Sequence, residues 1–375
     1  LVSALERWPR DGVPDNPAAW LMQAAKHRGI DHLRQRQLHA RKQDEFGVEL
    51  ELHGADMQGD DAQRLADDDI GDDLLRLLFA SCHPALPMES KVALTLRLLG
   101  GLTTPEIARA FLQPEATVAQ RIVRAKRTLA GKKVPFEVPR KADFPPRLDA
   151  VLEVLYLVFN EGYAATSGEA WVRPALCDEA LRLGRVLAGL LPTEAEVLGL
   201  LALMELQASR LRARTQADGT AILLEAQDRS RWDRLQIARG LQLLQRAQRL
   251  GGAAGAYVLQ AELAACHARA RRFEDTDWQR IVAVYDRLLQ VMPSPVVALN
   301  RAMAVAQANG AAAALPLVEA LQEARQLQAY APLHAVHGEL LQRLGRKDEA
   351  REAFARAVAL ATNLREREAL MARIQ

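Results

Sequence analysis

Residues 115–129 hold the side chains whose types and spacing could do the most specific chemistry in this sequence. In a helix, with about 100° per residue, one face of this segment carries a hydroxyl, an amide and three guanidinium groups. The residues on this face are Thr117, Gln120, Arg121, Arg124 and Arg127. Such groups hydrogen-bond base edges in the major groove of DNA and clamp its phosphates. Lys126 lies beside this face, in a better position for a phosphate.

The opposite side of the same helix is apolar. It consists of Val118, Ile122, Ala125 and Leu129, which form a narrow stripe and are predicted to be buried. A solvated surface helix that happens to be basic would show the same two faces. The helix by itself therefore leaves nucleic-acid binding and simple solvation equally open.

The segment just before this helix favours DNA binding. Thr103 and Glu106 have the spacing of a capping box, which predicts a helix from there to about Leu112. Pro114 prevents that helix from continuing, so the basic helix begins at about Glu115. Two short helices joined by a tight turn, with the second strongly basic, form the helix-turn-helix pattern. Further short helices are predicted upstream, over residues 72–80 and 87–99.

Other candidate sites lack the arrangement that catalysis or metal binding requires. His334 and His337 lie one helical turn apart, but on a predicted packing helix, where a structural role is the stronger interpretation. Cys82 and His83 are adjacent, so their side chains point apart, and no orienting acid accompanies them. We therefore expect no catalytic residue, no metal site and no cofactor, and the protein is predicted not to be an enzyme.

Length and composition set the wider frame. With 375 residues, the chain is long enough for two or three domains. Ala, Leu and Arg are abundant and aromatic residues make up only 5%, which favours an all-α fold over a β-sandwich. No apolar run reaches transmembrane length and no leader-like segment begins the chain, so we expect a cytoplasmic protein that does not enter membranes.

Charge is divided unevenly along the chain, although the formal net charge is only +2. Between Gly47 and Asp73, ten acidic residues face one base, which predicts a solvated linker. From Thr103 to Lys141, nine basic residues face three acidic ones, the usual footprint of a protein that binds a phosphate backbone. An acidic linker before a basic helix also suggests that the C-terminal half folds back over residues 120–127.

Four strings in this region resemble region 4 of extracytoplasmic-function (ECF) sigma factors. They are DDLLRLLFASCHP at 72–84, VALTLRLLGGLT at 92–103, EIARAF at 106–111 and TVAQRIVRAK at 117–126. The resemblance implies that the second helix reads the −35 promoter element, with Gln120, Arg121 and Arg124 as base and phosphate contacts. The turn departs from the family pattern, because Leu112 stands where a glycine is usual.

Two strings nearer the start, PAAWL at 17–21 and AKHRGIDHLR at 25–34, resemble the end of sigma region 2. That resemblance implies contacts with the −10 element, for which the candidates are Lys26, His27, Arg28, Arg34 and Arg36. The earlier part of region 2, which grips the polymerase, would precede Leu1. We therefore expect the sequence to be truncated at this end.

The second half narrows the resemblance to a subgroup. The strings YLVFNEGY at 156–163, LCDEA at 176–180, GLLALM at 199–204 and DRSRWD at 228–233 resemble sigma factors with a tetratricopeptide-type (TPR) extension. Independently, small and large residues match the packing positions of a 34-residue helical repeat, namely Ala302, Gly310, Gly338, Gly345, Ala350, Phe354 and Ala357. Gly162 is predicted to cap the helix that contains residues 156–163.

These observations predict an all-α protein with five parts. They are a partial sigma region 2 at 1–46, an acidic linker at 47–71, a region 4 helix-turn-helix at 72–140, a helical middle domain at 141–250 and TPR-like repeats at 251–375. The predicted function is that of an ECF sigma factor, with core RNA polymerase and promoter DNA as partners and a protein or peptide as a further ligand of the repeats. A stand-alone helix-turn-helix regulator and a TPR-type scaffold are the alternatives.

Overall fold

The structure is a computed structural model that describes residues 75–100, 102–111, 113–132, 134, 137–139, 143–165, 171–216, 219–323 and 327–374. Within these ranges the chain is helical and has no β-strand; Thr215 and Ala221 form one isolated bridge. The all-α prediction is confirmed. The described residues lie in one compact unit, and none of their helices is long and apolar enough to span a membrane.

The first helices form the unit that the sequence predicts as a helix-turn-helix. A helical segment at 75–81 is followed by α1 (Met88–Leu98), α2 (Thr104–Ala110) and α3 (Glu115–Gly131). The capping box before α2 is present: the Glu106 carboxylate accepts from the Thr103 backbone N–H at 2.6 Å, and Thr103 Oγ1 accepts from the Glu106 N–H at 3.4 Å. α3 packs against α1 and α2. We call residues 75–131 the helix-turn-helix unit.

The middle segment, residues 143–250, contains four longer helices. They are α4 (Phe144–Tyr163), α5 (Pro174–Leu190), α6 (Ala195–Ala208) and α7 (Arg234–Arg249), with short 3-10 turns between α6 and α7. α6 is buried on all sides from Val197 to Leu206, as its nearly continuous apolar sequence requires. It packs against α5, α7 and the next helix of the chain, which makes it the centre of the segment.

Seven helices follow, and each packs on the next. They are α8 (Ala256–Arg269), α9 (Trp278–Val291), α10 (Pro295–Asn309), α11 (Ala311–Gln322), α12 (Ala331–Arg343), α13 (Lys347–Leu360) and α14 (Leu364–Met371). Four of the predicted packing positions are used as such: Gly338 of α12 is buried against the Phe354 ring of α13, and Ala350 and Ala357 of α13 are also buried. We call residues 256–374 the repeat segment.

Three glycine assignments differ from the sequence prediction. Gly345 lies exposed between α12 and α13 with φ +78°, so it turns the chain and does not fill a packing position. Gly310 lies between α10 and α11 with φ +91°, so it ends the first helix of a pair rather than filling a packing position inside it. Gly162 does not cap α4, which continues to Tyr163. Instead Gly162 lies where α4 meets the start of α5, and a Cβ there would stand 2.7 Å from the Cys177 backbone nitrogen. Close packing, not chain reversal, requires this glycine.

The helix-turn-helix unit and the middle segment share one hydrophobic core. Leu78, Phe79, Leu94 and Ile107 are buried in the same cluster as Val151 and other apolar residues of α4, α5 and α6. The Phe79 and Phe144 rings lie 5.4 Å apart across this boundary. At about 25 cal/mol per Å² of apolar surface, a continuous core of this kind stabilises the contact far more than single polar bonds do.

Three arginines of the middle segment also bind the ends of the three helical elements that precede α3. Arg147 Nη2 donates to the Phe79 carbonyl at 2.6 Å, at the end of the 75–81 helix. Arg182 Nη2 donates to the Leu99 carbonyl at 2.5 Å, where α1 ends. Arg173 donates to the carbonyl of Ala110, the last residue of α2. The last carbonyls of a helix have no hydrogen-bond partner within the helix, and they form the negative end of its dipole. Each guanidinium therefore supplies a missing donor and places its positive charge at that end.

Two of these arginines are held in place by acidic residues of the middle segment. Arg173 forms an ion pair with Glu161, and both side chains are almost completely buried. Arg182 pairs with Glu179, and burial raises the pKa of the Glu179 carboxyl while the hydrogen bond from Arg182 opposes this rise. We call Arg147, Arg173 and Arg182 the arginine clamp, because together they fix the helix-turn-helix unit on the middle segment.

The close approach at Gly162 predicts a local stability change. Gly162→Ala should destabilise the fold by about 1–3 kcal/mol, because the added methyl overlaps the Cys177 backbone. Gly189→Ala is the matched control: it lies in α5 with nothing within 4 Å of its Cβ position. That change should instead stabilise the helix by about 0.5–1 kcal/mol. Urea unfolding of both variants measures the difference, and equal midpoints would contradict the assigned packing.

The arginine clamp predicts that Arg173→Met loosens the helix-turn-helix unit. This change removes the ion pair that the largely buried Glu161 forms with Arg173, which should cost about 3 kcal/mol. Amide hydrogen exchange in α2 should become faster, since its last carbonyl loses a donor. Arg231→Met changes an exposed arginine outside these contacts and serves as the control. Adding Glu161→Gln to Arg173→Met should recover part of the lost stability. If the double variant recovers none, the loss of the Arg173–Glu161 ion pair is not the cause.

Candidate nucleic-acid interface

The two predicted faces of α3 are present in the structure. Val118, Ile122 and Ala125 are buried at 6% exposure or less, so they anchor the helix on α1 and α2. On the other face, four of the predicted contact residues are exposed: Gln120, Arg124, Lys126 and Arg127. From Thr117 to Arg127 this face is about 15 Å long, enough to follow several base pairs in a major groove.

Thr117 and Arg121 occupy the edge of this face rather than its centre. Both are half-buried, and the Arg121 guanidinium donates to the Gln113 side-chain oxygen in the turn before α3. Arg121 therefore links α3 to the turn that precedes it. Gln120, Arg124 and Arg127 are spaced four and three residues apart, so they form the outward ridge on which a ligand would first rest.

The exposed cations on and beside this ridge lack acidic partners in the described part of the chain. Among the residues that the structure describes, Arg124, Lys126 and Arg127 form no ion pair and no hydrogen bond with another side chain. Single exposed arginines without an ion pair, such as Arg249 and Arg356, also occur elsewhere in the described part of the chain. What distinguishes α3 is therefore that its unpaired cations are grouped on one exposed face of one helix.

One residue of the ridge was missed by the sequence analysis. Val123 is 47% exposed and lies between Gln120 and Arg127 on the same side of the helix. An exposed apolar side chain among unpaired cations suits contact with the methyl group of a thymine. The spacing of Gln120, Val123, Arg124 and Arg127 would have shown it, but only polar side chains were considered as contacts.

The predicted fold-back of the C-terminal half over residues 120–127 is wrong for the described part of the chain, because the ridge is exposed there. The candidate −10 contacts, Lys26, His27, Arg28, Arg34 and Arg36, lie outside the described residues, as does the acidic linker at 47–71. They stay predictions from the sequence.

The alternative chemical candidates have structural explanations. Burial raises the pKa of the Cys82 thiol, and its sulfur lies 3.4 Å from the Thr95 hydroxyl, within the core. A reactive cysteine needs the opposite shift. His83 Nδ1 accepts from the Ala85 backbone N–H at 3.0 Å. His334 is buried, with its Nε2 3.0 Å from the Gln328 carbonyl, which agrees with a packing role.

Comparison with known proteins adds independent evidence. Residues 76–129 match the family model described as "Sigma-70, region 4", and residues 147–248 match a "Family of unknown function (DUF6596)". The chain is 47% identical over 366 residues to "Uncharacterized protein R00370" of Rhizobium meliloti (strain 1021), covering 97% of this chain and 85% of that protein. The chain therefore belongs to the same family as this Rhizobium meliloti protein, and its residues 76–129 are a sigma-70 region 4 segment of the kind found in sigma factors.

Proposed function

We propose that this protein is a sigma factor of the ECF type, which binds core RNA polymerase and directs it to specific promoters. In this function α3 enters the major groove of the −35 element. The residues resembling region 2, with Lys26, His27, Arg28, Arg34 and Arg36, contact the −10 element. The protein acts in the cytoplasm, needs no cofactor and catalyses no reaction itself. Its repeat segment is a TPR-type extension that holds a protein or peptide ligand.

The unbalanced ridge of α3 is the observation that supports this function most strongly. Three exposed cations and an amide lie on a helix whose other face is anchored in a core. A phosphate backbone supplies the charge that these cations lack within the protein. The match of residues 76–129 to sigma-70 region 4 points to promoter DNA as the source of that backbone and to RNA polymerase as the partner.

The rigid mounting of the helix-turn-helix unit also fits this function. A reading helix must keep its side chains in register with base edges, and the arginine clamp fixes the elements on which α3 rests. Phosphate contacts position such a helix, whereas base contacts determine its sequence preference. We assign Lys126 to the first group and Gln120 and Arg124 to the second, because Lys126 lies to the side of the ridge.

Transcription with purified components tests the proposal. The purified protein is added to core RNA polymerase on sheared genomic DNA, and new transcript starts are mapped by sequencing. We expect starts at promoters that core polymerase alone does not use. Binding of DNA without binding of polymerase would indicate a stand-alone regulator. If the protein binds neither, a scaffold is the remaining alternative. Either outcome would overturn the sigma-factor assignment.

Two substitutions on α3 should have different effects on such a promoter. Arg124→Ala should weaken binding by about 1–3 kcal/mol and relax the sequence preference in the −35 element, because a base contact is lost. Lys126→Ala should weaken binding to all sequences alike and reduce the salt dependence by about one unit of slope. Binding of the polymerase complex to labelled promoters across a salt series measures both effects.

The matched control for this pair is Arg249→Ala, since Arg249 is an exposed arginine at the end of α7, remote in sequence from the helix-turn-helix unit. It should leave affinity and salt slope unchanged. An equal loss in Arg124→Ala and Arg249→Ala would mean that only total charge matters, and the assignment of α3 as the reading helix would fail.

A further inference from the structure

A cavity of about 440 Å³ lies where the middle segment meets the first helices of the repeat segment. Its walls come from α4, α6, α8, α9, α10 and the turns at 222–232, all within the one compact unit. Tyr156, Phe159, Tyr163, Trp232 and Tyr285 supply aromatic surface. This volume is in the range of cavities that bind small molecules, and flat aromatic walls favour a flat ligand.

The charge of the lining has one sign. In the described part of the chain, no aspartate, glutamate or lysine lines the cavity, and Arg210 is the one charged residue of this lining. His267 also lines it but is neutral, because burial and the nearby Arg210 and Arg229 lower the pKa of His267 to about 3. Among the described residues, no carboxylate pairs with Arg210, whose guanidinium donates instead to the Tyr163 hydroxyl.

Two further buried arginines lie close to this wall, and neither forms an ion pair within the part of the chain that the structure describes. Arg214 is 6% exposed, and its guanidinium lies 3.6 Å from the centre of the Tyr163 ring. Arg229 is 5% exposed and lies 4.9 Å from the Trp232 ring; it donates to carbonyl and hydroxyl oxygens, and the charges of Glu274 and Asp275 act on it. Buried charges are ordinarily paired, so Arg210 in the lining and Arg214 against the Tyr163 ring form an electrostatic site that is incomplete within the described chain.

The same wall contains hydrogen-bonding groups without partners. Trp232 is 4% exposed, lines the cavity, and its indole N–H finds no acceptor among the described residues. The Nδ1 atom of His267 and one guanidinium nitrogen each of Arg214 and Arg229 are likewise buried without a partner. Such groups are rare in proteins, where buried polar atoms are almost always satisfied. Most of them are donors, so what they lack is an acceptor.

We propose that this cavity binds a small, flat, largely apolar molecule that carries one acidic group. The aromatic walls hold its ring system, and the acidic group lies against Arg210, in the positive field of Arg214. A neighbouring cavity of about 420 Å³ on the repeat segment shares Tyr285 and His267 with it, but its arginines are paired there, Arg343 and Arg373 with Glu339. The acidic group therefore belongs in the first cavity. This site goes beyond the proposed role in transcription and does not depend on it.

Two fluorescent probes with the same ring system test the proposal on the full chain without DNA or polymerase. Anilinonaphthalene sulfonate carries one acidic group, and N-phenylnaphthylamine is its neutral counterpart. We expect one site per chain for the sulfonate, bound at least tenfold more tightly than the neutral probe. Several weak sites, or equal affinity for both probes, would overturn the proposal.

Three variants locate the site. Arg210→Gln should weaken sulfonate binding at least tenfold and change binding of the neutral probe less than twofold. Arg212→Gln, an exposed arginine two residues away that does not line the cavity, should change neither. Asn160→Asp leaves Arg210 and Tyr163 intact and places a negative charge in the lining, so it should also weaken the sulfonate at least tenfold. Unchanged sulfonate binding in Arg210→Gln, or in Asn160→Asp should the first variant not fold, would exclude this cavity as the site.

Discussion

The structure depends on the union of the helix-turn-helix unit with the middle segment. A short three-helix unit buries little surface by itself, and here its apolar side is covered by α4 and α5 in one continuous core. The arginine clamp fixes the orientation of this contact, because each guanidinium hydrogen-bonds the carbonyl end of one helix. No other orientation would allow all three hydrogen bonds. The shared core and the arginine clamp together place α3 at the surface, with its apolar stripe buried and its ridge exposed to solvent.

This union changes how the C-terminal part of the chain should be regarded. Deleting everything from Arg147 onward would remove the clamp and half of the core that supports α1 and α2. If such a deletion lost promoter binding, the cause would be a damaged fold and not the removal of a regulatory segment. Point changes that leave the core intact are the informative ones, since they separate support of α3 from any signal passed to it.

Local features of the sequence were predictable, and features that depend on distant residues were not. Helical periodicity and the Thr103–Glu106 capping box gave α2 and α3 with nearly correct ends, because these signals act within one or two turns. The ridge of α3 followed from the same periodicity. The role of Gly162 was mistaken, since it is set by Cys177 on another helix. The clamp joins residues 63 to 83 positions apart, and no local pattern marks such pairs.

α4 is the element that the reading helix and the aromatic cavity have in common. One side of α4 buries Val151 and Leu155 in the core shared with the helix-turn-helix unit, and another side presents Asn160 and Tyr163 to the cavity. Glu161 lies between these two residues in the sequence, and its ion pair with Arg173 holds that arginine at the end of α2. A ligand shifts an equilibrium only by its difference in affinity for two states. Coupling between cavity and DNA therefore requires that the ligand distinguish two positions of α4, because a ligand that fits both equally would leave α3 as it is, however tightly it binds.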